Sequence, residues 1–115
     1  EGYIKNWPRE ADLYGWIIQL RTGGNLGSHM HKLGWLSGSI YLKNEKINGS
    51  NEGDIIFSLD GADYPTDNKT FPSKAFEVET GDIILFPSSL FHKTTPFKRS
   101  TSRITLAFDI KPGYN

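Results

Sequence analysis

Three histidines have the type and spacing needed to bind a metal ion. His29 and His31 are two residues apart, and His92 follows a separate apolar run; the chain contains no other histidine. In an extended strand, residues two apart point to the same face, so His29 and His31 would share one cavity. The neutral imidazole is the commonest protein ligand for transition metals. A His-x-His pair alone is equally consistent with a surface pair. A third imidazole from His92 would complete a set of three ligands that leaves coordination positions open, as catalytic metal sites require.

An arginine and a threonine extend the possible chemistry to an organic acid. Residues 102–110 alternate, so that one face carries Arg103, Thr105, Ala107 and Asp109. A planar guanidinium binds a carboxylate through two charge-assisted hydrogen bonds, and an unpaired buried charge is costly. If Arg103 faces the cavity, we therefore expect it to bind an organic acid. The alternative is that it turns outward and pairs with Asp82 or Asp109.

The elements that position these residues are predicted to be short strands. Twelve glycines, six prolines and fifteen aromatic residues favour strands and sharp turns over helices. Strand patterns occur in the histidine segment and at residues 14–20, 35–42, 54–59, 74–79, 83–86, 90–95 and 102–110. Within residues 35–42, Ser39 and Tyr41 share one face and are candidates to bind the same acid as Arg103. Residues 60–73 form a long loop that either overhangs the site or is a surface excursion.

These strands predict an all-β fold in a single domain, a barrel or jelly roll. We expect a lead-in at residues 1–13, the barrel at 14–110 and a short tail at 111–115. The chain begins with Glu1 rather than methionine, and we expect it to be part of a longer, multidomain polypeptide.

Composition argues against several classes of partner and chemistry. Basic and acidic residues balance at 13 each, so no overall charge favours nucleic acid or an anionic membrane. No apolar run is long enough to span a membrane. The absence of cysteine excludes disulfides, thiolate metal sites and cysteine nucleophiles. We expect a cytoplasmic protein that binds neither nucleic acid nor membrane.

The motifs taken together resemble a known enzyme group. The resemblance rests on the order and spacing of residues 29–31, 35–38 and 81–88, His92, and the pair Arg103 and Thr105. This pattern is similar to that of the 2-oxoglutarate/Fe(II)-dependent oxygenases, specifically a small double-stranded β-helix (cupin-like) branch that is sometimes found after tetratricopeptide repeats. It covers residues 16–110, nearly the whole chain.

The resemblance implies a role for each matching residue. His29 corresponds to the first histidine of the iron motif and His92 to its distal histidine, while Arg103 and Thr105 correspond to the residues that hold the far carboxylate of 2-oxoglutarate. The implied cofactors are Fe(II), 2-oxoglutarate as co-substrate and O2, acting on an unidentified small molecule or protein side chain. Most of the superfamily carries Asp or Glu where this chain has His31, which raises the net charge of the site by one unit. His31 is therefore either the third metal ligand or a residue that lines the pocket.

Two other functions fit parts of the same pattern. A cupin with a three-histidine metal site would explain the spacing of Gly81, Pro87 and His92, but it lacks the expected glutamate after His31 and gives no reason for Arg103. A non-catalytic jelly-roll binding module would leave the histidines without a metal.

Overall fold

The computed structural model describes residues 2–3, 5–98 and 100–113. Its seven strands are β1 (Ala11–Leu20), β2 (Leu36–Lys43), β3 (Ile55–Ser58), β4 (Ser73–Phe76), β5 (Ile83–Pro87), β6 (Phe91–Thr94) and β7 (Arg103–Pro112). The described residues contain no α-helix, and hence none that could cross a membrane. The predicted all-β class is confirmed.

The strands form two antiparallel sheets. The four-stranded sheet has the order β1-β7-β2-β5, and the three-stranded sheet has the order β4-β3-β6. The sheets meet through aromatic side chains: the rings of Phe57 in β3 and Phe86 in β5 lie 4.9 Å apart. A cluster of buried side chains fills this part of the interior and consists of Tyr41, Ile55, Phe57, Val78 and Phe86. The apolar core thus occupies one part of the space between the sheets.

The long strands of the four-stranded sheet differ in length from the sequence prediction. β1 begins at Ala11 rather than at residue 14, and β7 continues to Pro112 rather than ending at residue 110. The two strands pair over ten residues, from Ala11 opposite Pro112 to Leu20 opposite Arg103. Backbone pairing at the ends of these strands continues past the apolar alternation from which the strands were predicted.

The prediction of a strand around His29 and His31 is wrong, because the structure has no regular strand there. His29 forms only an isolated bridge with His92, in which each backbone N–H donates to the other residue's carbonyl at 3.0 and 2.9 Å. The N–H of His31 instead donates to the carbonyl of Ser88 at 2.9 Å. Because the two histidines bond to different parts of the chain, no continuous ladder forms, although both are held by backbone hydrogen bonds.

The inner face of the four-stranded sheet carries the predicted polar residues. In the register, Ser37 lies opposite Asp109, Ser39 opposite Ala107, and Tyr41 opposite Thr105. Arg103, Thr105 and Ser37 are buried, as expected for side chains that point into the interior. The alternation in β2 and β7 therefore places the acid-binding candidates together on one wall.

Candidate metal centre and acid-binding pocket

The three histidines converge at one point. Each offers a ring nitrogen, and these atoms lie within 4.8 Å of one another. The ring centroids are 5.3 Å apart for His29 and His31, 4.2 Å for His29 and His92, and 5.0 Å for His31 and His92. The isolated bridge between His29 and His92 brings the third imidazole to the first two. This arrangement can surround a single ion.

Hydrogen bonds orient all three imidazoles in the same sense. Nδ1 of His29 lies 2.8 Å from the carbonyl oxygen of Gly27, and Nδ1 of His92 lies 3.1 Å from that of Leu90. Nδ1 of His31 lies 2.6 Å from Oδ1 of Asp109. Carbonyl and carboxylate oxygens only accept, so each Nδ1 is the donor. In the neutral imidazole, Nε2 then keeps its lone pair, which is the state that a metal ligand needs.

The environment of His92 keeps its ring neutral. Burial lowers the pKa of His92 from 6.5 to about 4, and the neighbouring His29 and His31 act in the same direction. The carbonyl of Leu90 opposes this shift by accepting a hydrogen bond from the ring. His92 therefore presents an uncharged imidazole at neutral pH, so no proton has to be displaced before it can bind a cation.

A carboxylate and two hydroxyls lie behind His31. Oδ1 of Asp109 accepts hydrogen bonds from Nδ1 of His31 and from Oγ of Ser37, both at 2.6 Å. The hydroxyls of Ser37 and Ser88 are 2.7 Å apart. Both serines are fully or almost fully buried. Alternation in β7 puts Asp109 on the same face as Arg103, but the sequence pattern does not identify Asp109, Ser37 or Ser88 as part of the site. The contact between His31 and Asp109 joins residues 78 positions apart, so no local pattern indicates it.

The histidines open onto a cavity of about 290 Å³. Its lining includes every site residue predicted from the sequence: His29, His31, His92, Ser39, Tyr41, Arg103 and Thr105. The remaining wall is mainly apolar and includes Trp16, Ile18 and Phe86. A pocket with apolar walls and a few convergent polar groups is typical of small-molecule sites.

Arg103 enters this cavity without an anionic partner from the described residues. It is 2 % exposed, and its Nε has no hydrogen-bond partner there; the hydroxyl of Thr105 also has none. The expected alternative pairing is not formed, since Asp109 binds His31 and Asp82 accepts from the backbone N–H of Glu79. Buried polar groups without partners are rare and costly. A ligand that accepts hydrogen bonds would satisfy both the Nε of Arg103 and the hydroxyl of Thr105.

Tyr41 lies beside the arginine. The guanidinium carbon of Arg103 is 5.0 Å from the centre of the Tyr41 ring, which is a cation–π distance. Burial raises the pKa of Tyr41, and the charge of Arg103 partly offsets that rise. Burial also lowers the pKa of Arg103, with Tyr41 opposing the shift. The phenol hydroxyl therefore stays protonated and can donate to an acid in the pocket.

A second cleft adjoins the histidines on the side of the long loop. It is lined by His29, Met30, Lys32 and residues 62–65. The loop holds several non-glycine residues at positive φ: Ala62, Asp63, Asp67 and Asn68. At Gly61 a Cβ atom would come within 2.1 Å of Oγ of Ser28, so the loop packs closely against the histidine segment. The predicted long loop thus forms a wall beside the site.

The residues present fit both a metal ion and a keto acid. Three imidazole nitrogens with free lone pairs suit iron, nickel, copper or zinc. The unsatisfied Nε of Arg103 and hydroxyl of Thr105 suit a carboxylate. Both groups face the same cavity as the imidazoles, so one bidentate acid could contact the ion and the arginine together.

Comparisons with known proteins agree with this chemistry. A family model described as "Putative 2OG-Fe(II) oxygenase" matches residues 14–109. HygX from Streptomyces hygroscopicus with iron bound has a similar structure, with a TM-score of 0.70 and 16% identity over 95% of this chain and 61% of HygX. A second HygX structure holds nickel and 2-oxoglutarate. A Pseudomonas putida prolyl-4-hydroxylase gives a TM-score of 0.66 and 18% identity over 90% of this chain and 53% of that protein.

A cupin domain from Bordetella pertussis is also similar, with a TM-score of 0.51 and 14% identity over 88% of this chain and 81% of the cupin. No curated protein matches the sequence. These structures confirm the predicted double-stranded β-helix, or cupin-like jelly roll. The chain spans between about half and three-fifths of the length of the prolyl-4-hydroxylase and HygX structures. Because the family model covers most of its length, the chain belongs to the 2OG-Fe(II) oxygenase family.

Proposed function

We propose that this chain is the catalytic domain of a non-haem Fe(II)/2-oxoglutarate-dependent oxygenase of the hydroxylase type. One observation carries the proposal: three oriented imidazoles share a cavity with a buried arginine that has an unsatisfied Nε. Membership of the family supports it, as does the HygX structure that contains nickel and 2-oxoglutarate. The overall reaction converts 2-oxoglutarate, O2 and a substrate C–H group into succinate, CO2 and an alcohol.

The metal would be held by His29, His31 and His92 through their Nε2 atoms. Iron bound there supplies the activation of dioxygen, coupled to oxidative decarboxylation of the keto acid. The chain holds each ring in place through its Nδ1 hydrogen bond, so little reorganisation is needed on metal binding. Because His92 is neutral, it binds without first losing a proton.

The keto acid would be oriented by Arg103 and the residues around it. The guanidinium would bind the far carboxylate, and the hydroxyl of Thr105 would donate to the same group. Ser39 and Tyr41 line the same wall, and the protonated phenol of Tyr41 would add a further donor. The apolar side chains of the same cavity would limit water around a bound acid, which would strengthen these electrostatic contacts.

The primary substrate would approach through the second cleft. This cleft reaches His29 directly and is bordered by Lys32 and Tyr64, whose ammonium and ring lie 5.8 Å apart. A small molecule or protein side chain in this cleft would contact His29 while the keto acid occupies the inner cavity. Lys32→Ala should therefore leave substrate-independent succinate formation unchanged.

Anaerobic titration tests the proposal. Fe(II) is added to the purified chain, followed by 2-oxoglutarate, and a weak visible metal-to-ligand absorption band is expected. Admission of oxygen should then produce succinate slowly even without a primary substrate. Absence of both the band and succinate in a chain that binds Fe(II) would reject the oxygenase function.

The all-histidine ligand set supports a second candidate, a cupin-type metal-binding barrel. Such a barrel would bind the ion but would need no keto acid. A chain that binds Fe(II) and shows no affinity for 2-oxoglutarate would favour this candidate, and a chain that binds neither would favour a non-catalytic binding module.

A further inference from the structure

We propose that Asp109 is a positioning residue of the metal centre and supplies, through His31, the negative charge that the ligand set lacks. The inference rests on the proposed function, since it concerns the same site. The three proposed ligands are all imidazoles, so the ligand set itself supplies no negative charge. Asp109 lies directly behind that ligand, with Oδ1 at 2.6 Å from Nδ1 of His31.

The geometry gives Asp109 two effects on His31. The carboxylate can only accept, so it fixes the ring as the tautomer with the proton on Nδ1 and the lone pair on Nε2. It also places a negative charge next to the ring, which makes Nε2 a better electron donor. The side chains of His31 and Asp109 are only 14 % and 18 % exposed, so solvent screens this interaction incompletely.

Two serines hold the carboxylate in place. Ser37 donates its hydroxyl hydrogen to Oδ1 of Asp109 at 2.6 Å, so the 2.7 Å contact between Ser37 and Ser88 is made by the hydroxyl of Ser88 donating to Ser37. Ser88 thus donates to Ser37, and Ser37 donates to Asp109. Space near Ser88 is also limited, because a Cβ at Gly34 would lie 2.5 Å from the Ser88 hydroxyl oxygen. The network therefore has little freedom to rearrange.

Ser37 and Asp109 come from neighbouring strands and lie opposite each other in the register of β2 and β7. This wall of the sheet is continuous with the one that carries Tyr41 and Thr105. His31 lies on an irregular segment, so its ring needs an anchor from the sheet. Asp109 provides that anchor, whereas the other two histidines use backbone carbonyls. His31 is thus the ligand whose orientation depends on a side chain that mutation can remove.

The first test uses the metal-free chain. Nitrogen-15 NMR of the imidazoles should show His31 with its proton on Nδ1. In Asp109→Ala this preference should be weakened, because only the longer 3.3 Å contact with the hydroxyl of Ser37 remains, while Asp109→Asn should keep it because the amide oxygen still accepts. An unchanged His31 tautomer in Asp109→Ala would overturn the positioning role. This result does not depend on metal or keto-acid binding.

The second test measures Fe(II) affinity under anaerobic conditions by competition with a chelator. Loss of a residue that supports a metal ligand typically weakens metal binding about 10- to 100-fold, and we expect such a loss for Asp109→Ala. Asp109→Asn should also weaken binding, since it removes the charge. Asp12→Asn, on the exposed part of β1, is the matched control and should leave affinity unchanged.

A double-variant cycle separates action through His31 from direct ligation. If Asp109 acts only through His31, Asp109→Ala should cause no further loss of Fe(II) affinity in a His31→Ala background. Fully additive losses would show that Asp109 contacts the metal itself and would overturn the proposal. Failure of the wild-type chain to bind 2-oxoglutarate would instead count against the oxygenase function and would leave the tautomer and affinity results intact.

Discussion

The inner face of the four-stranded sheet carries charged and hydroxyl side chains, whereas its outer face carries aliphatic ones. On β7, Arg103 and Thr105 point inward and are buried. On the outer face, Ile17 is 58% exposed, and Ile83 and Leu85 of β5 are exposed to a similar degree. A sheet that simply covers an apolar core would not bury an arginine and hydroxyls among its inner side chains while leaving aliphatic ones exposed.

The difference indicates which part of the sequence would serve the proposed binding function. The unsatisfied Nε of Arg103 and hydroxyl of Thr105 reduce the stability of the ligand-free chain, and a ligand that fills the cavity would satisfy these two groups. The apolar core cluster around Phe57 adjoins this cavity, since Phe86 belongs to the cluster and also lines the cavity. Substitutions on the inner face should therefore change binding, whereas most substitutions on the outer face should change little in this chain.

Arg103→Met should produce the largest effect. Removing one partner of a buried charge pair costs about 2–4 kcal/mol, which corresponds to roughly 30- to 1000-fold weaker binding of 2-oxoglutarate. Calorimetric titration of the anaerobic Fe(II)-loaded chain measures this. Fe(II) affinity should be retained, and the free energy of unfolding of the ligand-free chain should not fall, because the variant removes an unpaired buried charge.

Lys111→Met is the matched control, since it removes a positive charge from the same strand outside the inner cavity. It should leave the affinity for 2-oxoglutarate unchanged. Equal losses in the two variants would mean that net charge, rather than the position of Arg103, governs binding.

The stability of the metal-free chain should depend on pH through His92. Burial lowers the pKa of His92 to about 4, compared with 6.5 in the unfolded chain. Between these values the unfolded chain binds a proton that the folded chain does not, so stability is full above pH 6.5 and falls as the pH is lowered towards 4. The loss should be about 1–3 kcal/mol, after allowance for partial exposure of the ring.

Urea unfolding at a series of pH values measures this loss. His92→Phe keeps an aromatic ring but cannot titrate, so its stability should vary less over the same range. Parallel profiles for the wild-type chain and His92→Phe would show that another group is responsible.

Gly38→Ala should have a smaller effect than the change at His92. It is a substitution on the outer face that should nevertheless reduce stability. A Cβ at Gly38 would lie 2.3 Å from Cζ of Phe108, so the aromatic ring that covers this glycine would have to move. We expect a loss of about 1–2 kcal/mol in the free energy of unfolding, measured in urea. Gly15→Ala is the control, because its nearest neighbour would be 3.6 Å away, and it should be neutral or slightly stabilising. Equal effects at the two glycines would contradict this explanation.

Ile17→Thr should have the smallest effect. Ile17 is exposed on the outer face of β1, and such substitutions usually change stability by about 0.5 kcal/mol or less. The adjacent Ile18 lines the inner cavity, so Ile18→Thr should cost more, about 1 kcal/mol. Thermal unfolding of the two variants compares the faces directly. A larger loss for Ile17→Thr would mean that the outer face packs more tightly than its exposure indicates.

Much of the sheet could be predicted because its signal is local. Alternation in β2 and β7 identified the wall that holds Tyr41, Ser39, Arg103 and Thr105, and seven of the predicted strands correspond to observed ones. The histidine segment was different. It has no ladder of its own, and its position depends on hydrogen bonds from His29 to His92 and from His31 to Ser88. Those bonds join distant parts of the chain, so local sequence patterns do not predict them.

By itself, the sequence determined the all-β class, the residue types of the site and the face of β7 on which Arg103 lies, because side-chain alternation in a strand follows directly from backbone geometry. Only the tertiary structure decided that His92 meets His29, that Arg103 has an unsatisfied Nε, and that Asp109 binds His31. These depend on strand order and register, which are set by the packing of the whole chain.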